Sequence, residues 1–384
     1  MQHQHQHQSQ PQQRQSQQLN AATAPRSEPR LGHPVALSDG RGRAAFCTVV
    51  GEQRDIETLL TQWDEIFAAM AISGVTAPRL IPLSPLARDR SLDVLRVAVV
   101  EHPLGLARAV ADALETQADR VGIPDLTIDE GFYLDPARRS ETAAKRWLAI
   151  NWNTMHLDEL SGSPTGQLPP TRPGKIALVD TGDEGAAVQY GFELTGSALE
   201  PAFDLDGHGT SIGGLMRLVA PHVAVDSFRV MQRNEEQVHS GLLLGALTEV
   251  TAAHSGYSVI AVAQSAHIAE VEKNRQHVLE RMLGRNPHPP SIVAAAGNKF
   301  PRDTLEMGYP ATAPRVLVAA GLEWSGKVAQ YNCTPPHGKK VRIAYALGGE
   351  PEDGVGTITL PDGNDEILYG SSYATALIAA TLAR

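Results

Sequence analysis

The sequence predicts an α/β protein with a mostly parallel β-sheet and helices on both faces, preceded by a small α+β domain. Short, almost continuous apolar runs recur after residue 175, and helical stretches separate them. The region before residue 135 carries strand and helix patterns of its own. Near-continuous apolar strands that alternate with helices are typical of a parallel sheet covered on both sides.

Length, composition and charge narrow the class of protein. The chain has 384 residues, of which 42% are hydrophobic, so it can bury a large core and form two domains. Lys and Arg number 33 and Asp and Glu 43, which gives a formal net charge of −10. An acidic chain without a basic block argues against nucleic acid or an anionic membrane as the main partner. No apolar run reaches the roughly 18 residues that a membrane-spanning helix needs.

Four regions are predicted along the chain. Residues 1–43 form a disordered, low-complexity segment whose opening MQHQHQHQ looks like a His/Gln purification tag. Residues 44–134 form the small α+β domain, residues 135–174 a polar linker, and residues 175–384 the main domain. No apolar segment of a secretory signal follows the first basic residues, and this favours a cytoplasmic location.

The two domains differ in their predicted element order. In the small domain, strands and helices alternate and are expected to form one antiparallel sheet with helices on one face: strand 44–50, helix 54–71, strand 91–101, helix 104–121 and strand 127–133. In the main domain, the predicted strands are 175–180, 222–230, 258–264, 291–297 and 315–321, and the clearest helices are 241–254 and 267–283. Chemistry is expected at the carboxyl ends of the parallel strands.

The chain gives no sign of a disulfide framework or a structural zinc site. Cys47 and Cys333 are far apart and lack CxxC or Cys/His spacing. Two buried reduced thiols are the preferred reading, and one long-range disulfide is the alternative. No cofactor is predicted; the acidic stretch 348–356 is read as a solvated loop, with a structural calcium site as the alternative.

Four polar residues follow strand ends of the main domain and form a candidate catalytic set. Asp180 closes one strand, His208 lies between glycines before a small-residue helix, Asn298 follows another strand, and Ser372 opens an Ala-rich helix. A serine nucleophile needs a base such as histidine, and the imidazole needs a carboxylate to orient it. The amide of Asn298 and the backbone N–H of Ser372 are suited to stabilise an oxyanion.

At these residues the chain resembles the subtilisin-like serine proteases, or subtilases. The segments that carry the resemblance occur in the order of that family: IALVDTG (176–182), DGHGTSIGG (206–214), AAAGN (294–298), GYPATAPRVLVAAG (308–321) and GSSYATA (370–376). The resemblance implies a subtilisin-like fold, with Asp180 orienting the base, His208 as base and then acid, and Ser372 as nucleophile. It assigns Asn298 to the oxyanion. Alignment on the following Ala-Thr favours Ser372 over its neighbour Ser371.

The same resemblance implies a role for the small domain and a substrate strand. Many subtilases carry an N-terminal propeptide with the size and element order of residues 44–134, which is cut off by the enzyme and then inhibits it. The chain's own N-terminal domain is therefore expected to be an intramolecular inhibitor, with cleavage within 134–150. Ala263, Gln264 and Ser265 stand where the family has a Ser-x-Gly strand that binds substrate, and Gln264 and Ser265 would narrow the specificity pocket or make it polar.

Three functions remain open at this point. The first is a serine endopeptidase that acts on peptide or protein substrates and is made as a self-inhibited precursor. The second is a dimeric aspartic protease, because Asp180-Thr181-Gly182 also suits that class, although one chain supplies only one such motif. The third is a non-catalytic peptide-binding protein on a subtilase scaffold, suggested by the altered substrate strand.

Overall fold

The structure is a computed structural model that describes most of the chain after residue 42. The described residues are 43–70, 80–83, 95–101, 107–123, 126–134, 149–152, 174–191, 204, 207–230, 238–253, 255–265, 273–299, 305–359 and 363–384. They belong to one compact unit, Ala36–Arg384. The tag-like segment predicted over residues 1–43 lies outside the described residues except for Arg43, which begins the first strand. Most of the linker predicted over 135–174 and the start of the helix predicted over 267–283 also lie outside them.

The elements are numbered in chain order within the described residues. The strands are β1 (Arg43–Glu52), β2 (Leu80–Pro82), β3 (Leu95–Glu101), β4 (Thr127–Leu134), β5 (Ala149–Trp152), β6 (Lys175–Asp180), β7 (Gln189–Gly191), β8 (Ala224–Arg229), β9 (Val238–His239), β10 (Val259–Val262), β11 (Ser291–Ala295), β12 (Val316–Leu322), β13 (Arg342–Leu347), β14 (Gly356–Thr359) and β15 (Asp365–Leu368). The helices are α1 (Gln53–Thr61), α2 (Trp63–Met70), α3 (Ala107–Arg120), α4 (His208–Val219), α5 (Ser240–Thr251), α6 (Lys273–Gly284) and α7 (Ser371–Ala383).

A seven-stranded parallel sheet forms the centre of the main domain, in the order β13-β12-β11-β10-β6-β8-β7. Helices α4 and α7 pack on one face and α5 and α6 on the other. The predicted fold class is confirmed: the strands are parallel and both faces are covered. The chain leaves β6 toward β8 on one side and β10 on the other, and such a switch point opens a crevice at the carboxyl ends of the strands.

An antiparallel sheet lies before it, in the order β2-β3-β1-β4-β9. The predicted strands and helices of this region are confirmed, with two differences. The helix predicted over 54–71 is two helices, because Gln62 leaves helical geometry at φ −101° and ψ 13° while its N–H still donates to the Thr58 carbonyl at 3.0 Å. Strand β2 was not predicted, because three residues ending in proline carry too short a pattern.

Both faces of this antiparallel sheet are buried. Alternate residues of β1 and β3 divide between two cores: Val49 and Val100 pack with helices α1, α2 and α3, whereas Val50, Val97 and Val99 pack with α5 and α6 of the main domain. The small domain thus shares a core with the main domain. The division of the chain at residues 134 and 174 stays a prediction.

A third, three-stranded sheet has the order β15-β14-β5. Strand β5 falls inside the predicted linker, where a four-residue run gave too weak a pattern to be predicted as a strand. Its Trp152 ring packs against Gly214 of α4 and Gly356 of β14, and a Cβ at either glycine would lie 3.0–3.1 Å from the ring. Trp152 of β5 therefore packs between α4 and the β14–β15 hairpin, which precedes α7.

The two cysteines lie in different cores and form no disulfide. Cys47 packs among the first helices and Cys333 in the shared core, and both are buried. Burial raises the pKa of the Cys333 thiol to about 12, so it stays protonated at neutral pH. Among the helices described, none has both the length and the apolar character to cross a membrane.

One buried ion pair crosses the shared core. Arg96 of β3 donates from Nη1 to Glu249 Oε1 of α5 at 2.8 Å, and the two side chains are only 7% and 5% exposed. Arg96 also donates from Nε and Nη2 to Gln53 Oε1, at 3.3 and 3.1 Å. Desolvation raises the pKa of Glu249 and lowers that of Arg96, which shows that burying the two charges costs free energy.

Glu249→Leu is expected to lower the free energy of unfolding by about 3–5 kcal/mol, because it leaves the Arg96 cation buried without its carboxylate. The double variant Arg96→Met/Glu249→Leu is expected to recover most of that loss, since neither charge is then buried. Urea unfolding measures both.

The matched control is Glu52→Gln, which breaks the partly exposed Glu52–Arg285 pair (2.7 Å) and is expected to cost under about 1 kcal/mol. A cost for Glu249→Leu no larger than that of Glu52→Gln would contradict the buried pair.

Candidate active site

Asp180 and His208 form the centre of the candidate site. Asp180 is the last residue of β6 and is fully buried. Its Oδ1 accepts a hydrogen bond from His208 Nδ1 at 2.7 Å and another from the Thr181 N–H, also at 2.7 Å. The carboxylate thereby fixes the proton of the imidazole on Nδ1 and leaves Nε2 as the basic nitrogen.

Glycines allow the start of α4 to come this close to the end of β6. Gly207 precedes His208 in the left-handed conformation at φ +80°, which only glycine adopts without strain. A Cβ at Gly209 would collide with the carbonyl oxygen of Gly182 and lie 3.0 Å from Asp180 Oδ1. The Gly-His-Gly sequence is therefore a steric requirement of the Asp180–His208 bond.

A second buried carboxylate, which the sequence analysis missed, connects the same two segments. Asp204 accepts hydrogen bonds from Thr181 Oγ1 at 2.9 Å, the Gly207 N–H at 2.7 Å and the Thr210 N–H at 2.7 Å. Thr181 Oγ1 in turn accepts from the Gly209 N–H at 2.9 Å. An acidic residue shortly before a helix is a known N-terminal signal, and it is the sequence feature that marks Asp204 as the acceptor for the first N–H groups of α4.

Ser372 lies in the first turn of α7 and is 1% exposed. Its Oγ donates to the carbonyl oxygen of Ala263 at 2.9 Å, so its hydrogen bond is not to His208. The helices that carry the two residues are nevertheless in direct contact: Ser211 Oγ of α4 donates to the His208 carbonyl at 2.6 Å and lies 3.0 Å from Tyr373 Oη of α7. The structure brings Asp180 to His208 within hydrogen-bonding distance and sets the Ser372 helix against the helix of His208.

Asn298 follows β11 and is held by Ser371. Its Oδ1 accepts from both the N–H and the Oγ of Ser371, each at 2.9 Å. The amide nitrogen lies beside Gly370, where a Cβ would come within 2.6 Å of Nδ2. Position 370 therefore requires glycine for two reasons: its φ of +134° disfavours other residues, and a Cβ would collide with the amide of Asn298. The two adjacent serines have different partners, Asn298 for Ser371 and Ala263 for Ser372.

Ala263, Gln264 and Ser265, predicted to bind substrate, follow β10 at the same sheet edge, and all three are buried. The carbonyl of Ala263 is the acceptor for Ser372. Both polar atoms of the Gln264 side chain and Oγ of Ser265 are buried without a hydrogen-bond partner among the described residues. This edge of the sheet therefore carries polar groups that the described part of the chain does not satisfy.

The acidic loop 348–356 is tied to a tryptophan. Glu350 Oε1 accepts from the Trp324 N–H at 3.2 Å, and the Asp353 carbonyl accepts from Trp324 Nε1 at 2.7 Å. Across the part of the chain that the structure describes, no group of three or more His, Cys, Asp or Glu side chains is arranged to hold a metal ion. What the site assembles is an oriented imidazole, a hydroxyl at a helix start and a carboxamide, the groups that acyl transfer uses.

Asp204→Ala is expected to speed amide hydrogen exchange at Gly207 and Thr210 by at least about tenfold and to lower the free energy of unfolding by about 2–3 kcal/mol. The reason is that their N–H groups lose a buried, charged acceptor. Asp204→Asn keeps one acceptor oxygen, so its exchange rates and its free energy of unfolding are expected to lie between those of the wild type and Asp204→Ala.

Asp365→Ala, which removes an exposed carboxylate bonded to Thr359, is the matched control and should leave exchange at both amides unchanged. Unaltered exchange in Asp204→Ala would contradict the role given to this carboxylate.

The comparisons with known proteins agree with these motifs. The model of the subtilase family matches residues 199–384, a range that holds His208, Asn298 and Ser372, while Asp180 precedes it. A sequence search of curated proteins found no match to this chain.

Among solved structures, the chain is similar to the prenylagaramide maturation protease PagA, at 18% identity over 59% of this chain and 76% of that one, with a TM-score of 0.40. It is similar to MycP1 from Mycobacterium smegmatis, at 18% identity over 65% of this chain and 75% of that one, with a TM-score of 0.42. It is also similar to a chain of the subtilase cytotoxin SubAB, at 21% identity over 56% of this chain and 75% of that one, with a TM-score of 0.39. Residues 199–384 of this chain thus match the subtilase family.

Proposed function

We propose that the protein is a serine endopeptidase that hydrolyses peptide bonds through Asp180, His208, Ser372 and a covalent acyl-enzyme. The observation that carries the proposal is the buried 2.7 Å hydrogen bond between Asp180 Oδ1 and His208 Nδ1 at the carboxyl edge of the sheet. The family match over residues 199–384 supports a protease of this class. An aspartic protease would need Asp180 to share a proton with a second carboxylate, and its pairing with an imidazole argues against that reading.

In the first half of the reaction, His208 Nε2 takes the proton of Ser372. This step requires the Ser372 hydroxyl to turn from the Ala263 carbonyl, its partner in the unliganded chain, toward the imidazole. Catalytic hydrogen bonds often form only once substrate is bound. The serine oxygen then attacks the scissile carbonyl carbon, and Asp180 stabilises the imidazolium that results.

The oxyanion of the tetrahedral intermediate is stabilised at the start of α7. Ser371 holds Oδ1 of Asn298, so Nδ2 is the amide group left to donate to the oxyanion. The N–H of Ser372 belongs to the first helical turn, whose amides lack intrahelical acceptors. One such donor is typically worth about 10²–10³ in turnover. His208 then protonates the leaving amine, and water releases the acyl group by the same steps in reverse order.

Ser372→Ala is expected to abolish both labelling by a fluorophosphonate probe and hydrolysis of peptide substrates, because it removes the attacking oxygen. Ser371→Ala is the matched control. It should still be labelled, with turnover lowered by about 10–100-fold, since it loses one of two hydrogen bonds that hold the oxyanion donor Asn298. Labelling is measured by intact mass and turnover by peptide hydrolysis.

Full activity of Ser372→Ala, or probe attached to Ser371, would refute the assignment of the nucleophile. A processed wild-type chain that binds peptides and takes up no probe would favour a peptide-binding protein instead.

We also propose that the protein is made as a self-inhibited precursor. In support, the end of β4 adds to β9 as an antiparallel strand, with Tyr133 opposite His239 and Leu134 opposite Val238. Strand β9 leads directly into α5, which packs on the sheet face shared with the small domain. Adding a strand to an open edge is a common way to bind a peptide. The segment that leads to the predicted cleavage region thus occupies a strand edge that a substrate would use.

The wild-type chain is expected to appear after purification as two fragments cut within residues 134–150, whereas Ser372→Ala should keep its full-length mass. The physical reason is that the Ser372 hydroxyl makes the cut in its own precursor. Intact-mass spectrometry with N-terminal sequencing measures the position of the cut.

Adding catalytic amounts of processed wild-type protein to Ser372→Ala separates cutting within one chain from cutting between chains. A full-length wild-type protein that nevertheless hydrolyses peptides would rule out the precursor and leave the peptidase proposal standing.

A further inference from the structure

Gln264 carries a buried carboxamide that the folded chain leaves unsatisfied. The residue is 1% exposed, and both Nε2 and Oε1 lack a hydrogen-bond partner. Buried amides are almost always paired, and leaving one unpaired destabilises the folded state. A methionine or leucine would fill the same volume without that cost. An unsatisfied amide beside a candidate active site points to a ligand that supplies the missing bonds.

The alternation of β10 shows on which face of the sheet this side chain lies. Ile260 and Val262 pack in the core that includes α5, while Ala261 and Ala263 pack in the core that includes α4 and α7. Gln264 is two residues after Val262, so the same alternation places it on the face of the sheet that α5 covers. Its neighbour Ala263 accepts the hydrogen bond of the Ser372 hydroxyl. The carboxamide therefore lies one residue from the acceptor of the nucleophile, on the other face of the sheet.

Strand pairing by the end of the small domain takes place beside the element that leads into α5. Strand β9, which precedes α5, pairs with the end of β4. A substrate that replaces β4 on this edge approaches Ser372 along the α5 side, with alternate side chains turned toward the sheet. In the substrate geometry proposed here, one of these side chains, upstream of the scissile bond, would meet Gln264.

We infer that Gln264 is a specificity-determining residue that selects substrates with a carboxamide side chain, Asn or Gln, at one position upstream of the scissile bond. This inference rests on the proposed endopeptidase function and names its substrate class. A carboxamide presents both an NH₂ donor and an oxygen acceptor, so a second carboxamide satisfies both atoms of Gln264. A carboxylate satisfies only the donor and brings a charge into a buried site, and an alkyl chain satisfies neither.

The test uses the protein purified after expression of the full-length chain. The peptides carry Gln, Glu or Met at one of the four positions before the cleaved bond. These three side chains have similar length and differ in hydrogen-bonding groups. At one position, kcat/KM is expected to favour Gln over both Met and Glu by at least about tenfold. In Gln264→Met, the Met peptide should become as good a substrate as the Gln peptide.

Two further measurements separate recognition from a structural role. Gln264→Met is expected to raise the melting temperature, because it removes an unsatisfied buried amide, whereas an amide with a structural role would leave a less stable protein on removal. Gln264→Glu retains only acceptor oxygens and should discriminate more strongly against the Glu peptide than the wild type does.

Cleavage without a carboxamide preference, a preference that survives in Gln264→Met, or a lowered melting temperature of that variant would overturn the inference and leave the endopeptidase proposal intact. A protein that cleaves none of the peptides and takes up no fluorophosphonate probe would overturn both.

Discussion

The hydrogen bond between Asp180 and His208 depends on bringing a strand end and a helix start together without water. A carboxylate buried at the end of β6 needs hydrogen-bond donors, and its Oδ1 receives both the imidazole N–H and the Thr181 N–H. The parallel sheet supplies the place, since its strand ends converge beside the switch point at β6. The glycines at positions 207 and 209 and the carboxylate of Asp204 then set the approach of α4. The geometry of the Asp180–His208 pair and the folding of this edge thus depend on the same residues.

The small domain covers helices α5 and α6 of the main domain, and this burial affects the charges between them. The sheet of β1 and β3 covers α5 and α6, so Glu249 of α5 is removed from water and needs Arg96 as its partner. A charged pair in an apolar interface contributes little net stability, but removing one partner leaves the other charge buried and lowers the free energy of unfolding. An interface of this kind favours one partner surface over others without binding it irreversibly. That balance suits a domain proposed to cover the site in a precursor and to leave it after cleavage.

Local patterns in the sequence were sufficient to predict the sheet and its helices, because these strands and helices have a clear periodicity. The catalytic roles of Asp180, His208, Asn298 and Ser372 stay a prediction. The hydrogen bonds of Thr181 to Asp204 and of Ser371 to Asn298 were not predictable, since they join segments that meet only in the fold. The burial of Val50, Val97 and Val99 against α5 was missed for a related reason: alternation of apolar residues shows that a face is buried, not which element covers it. The break at Gln62 depends on one residue's dihedral angles, and a run of good helix formers conceals it.

Residues 263–265 lie at the edge of the sheet that carries the candidate site, and they differ from β10 in how their polar groups are satisfied. Within β10 every side chain is apolar and packed, and the chain satisfies its own groups. Immediately beyond it, the Ala263 carbonyl accepts the hydrogen bond of Ser372, while the Gln264 and Ser265 side chains bury polar atoms that nothing in the fold satisfies. Local rules of packing are commonly broken where a protein binds something else. In this chain they are broken two and three residues after β10, next to the Ala263 carbonyl that accepts from Ser372, where the proposed substrate would supply the missing hydrogen bonds.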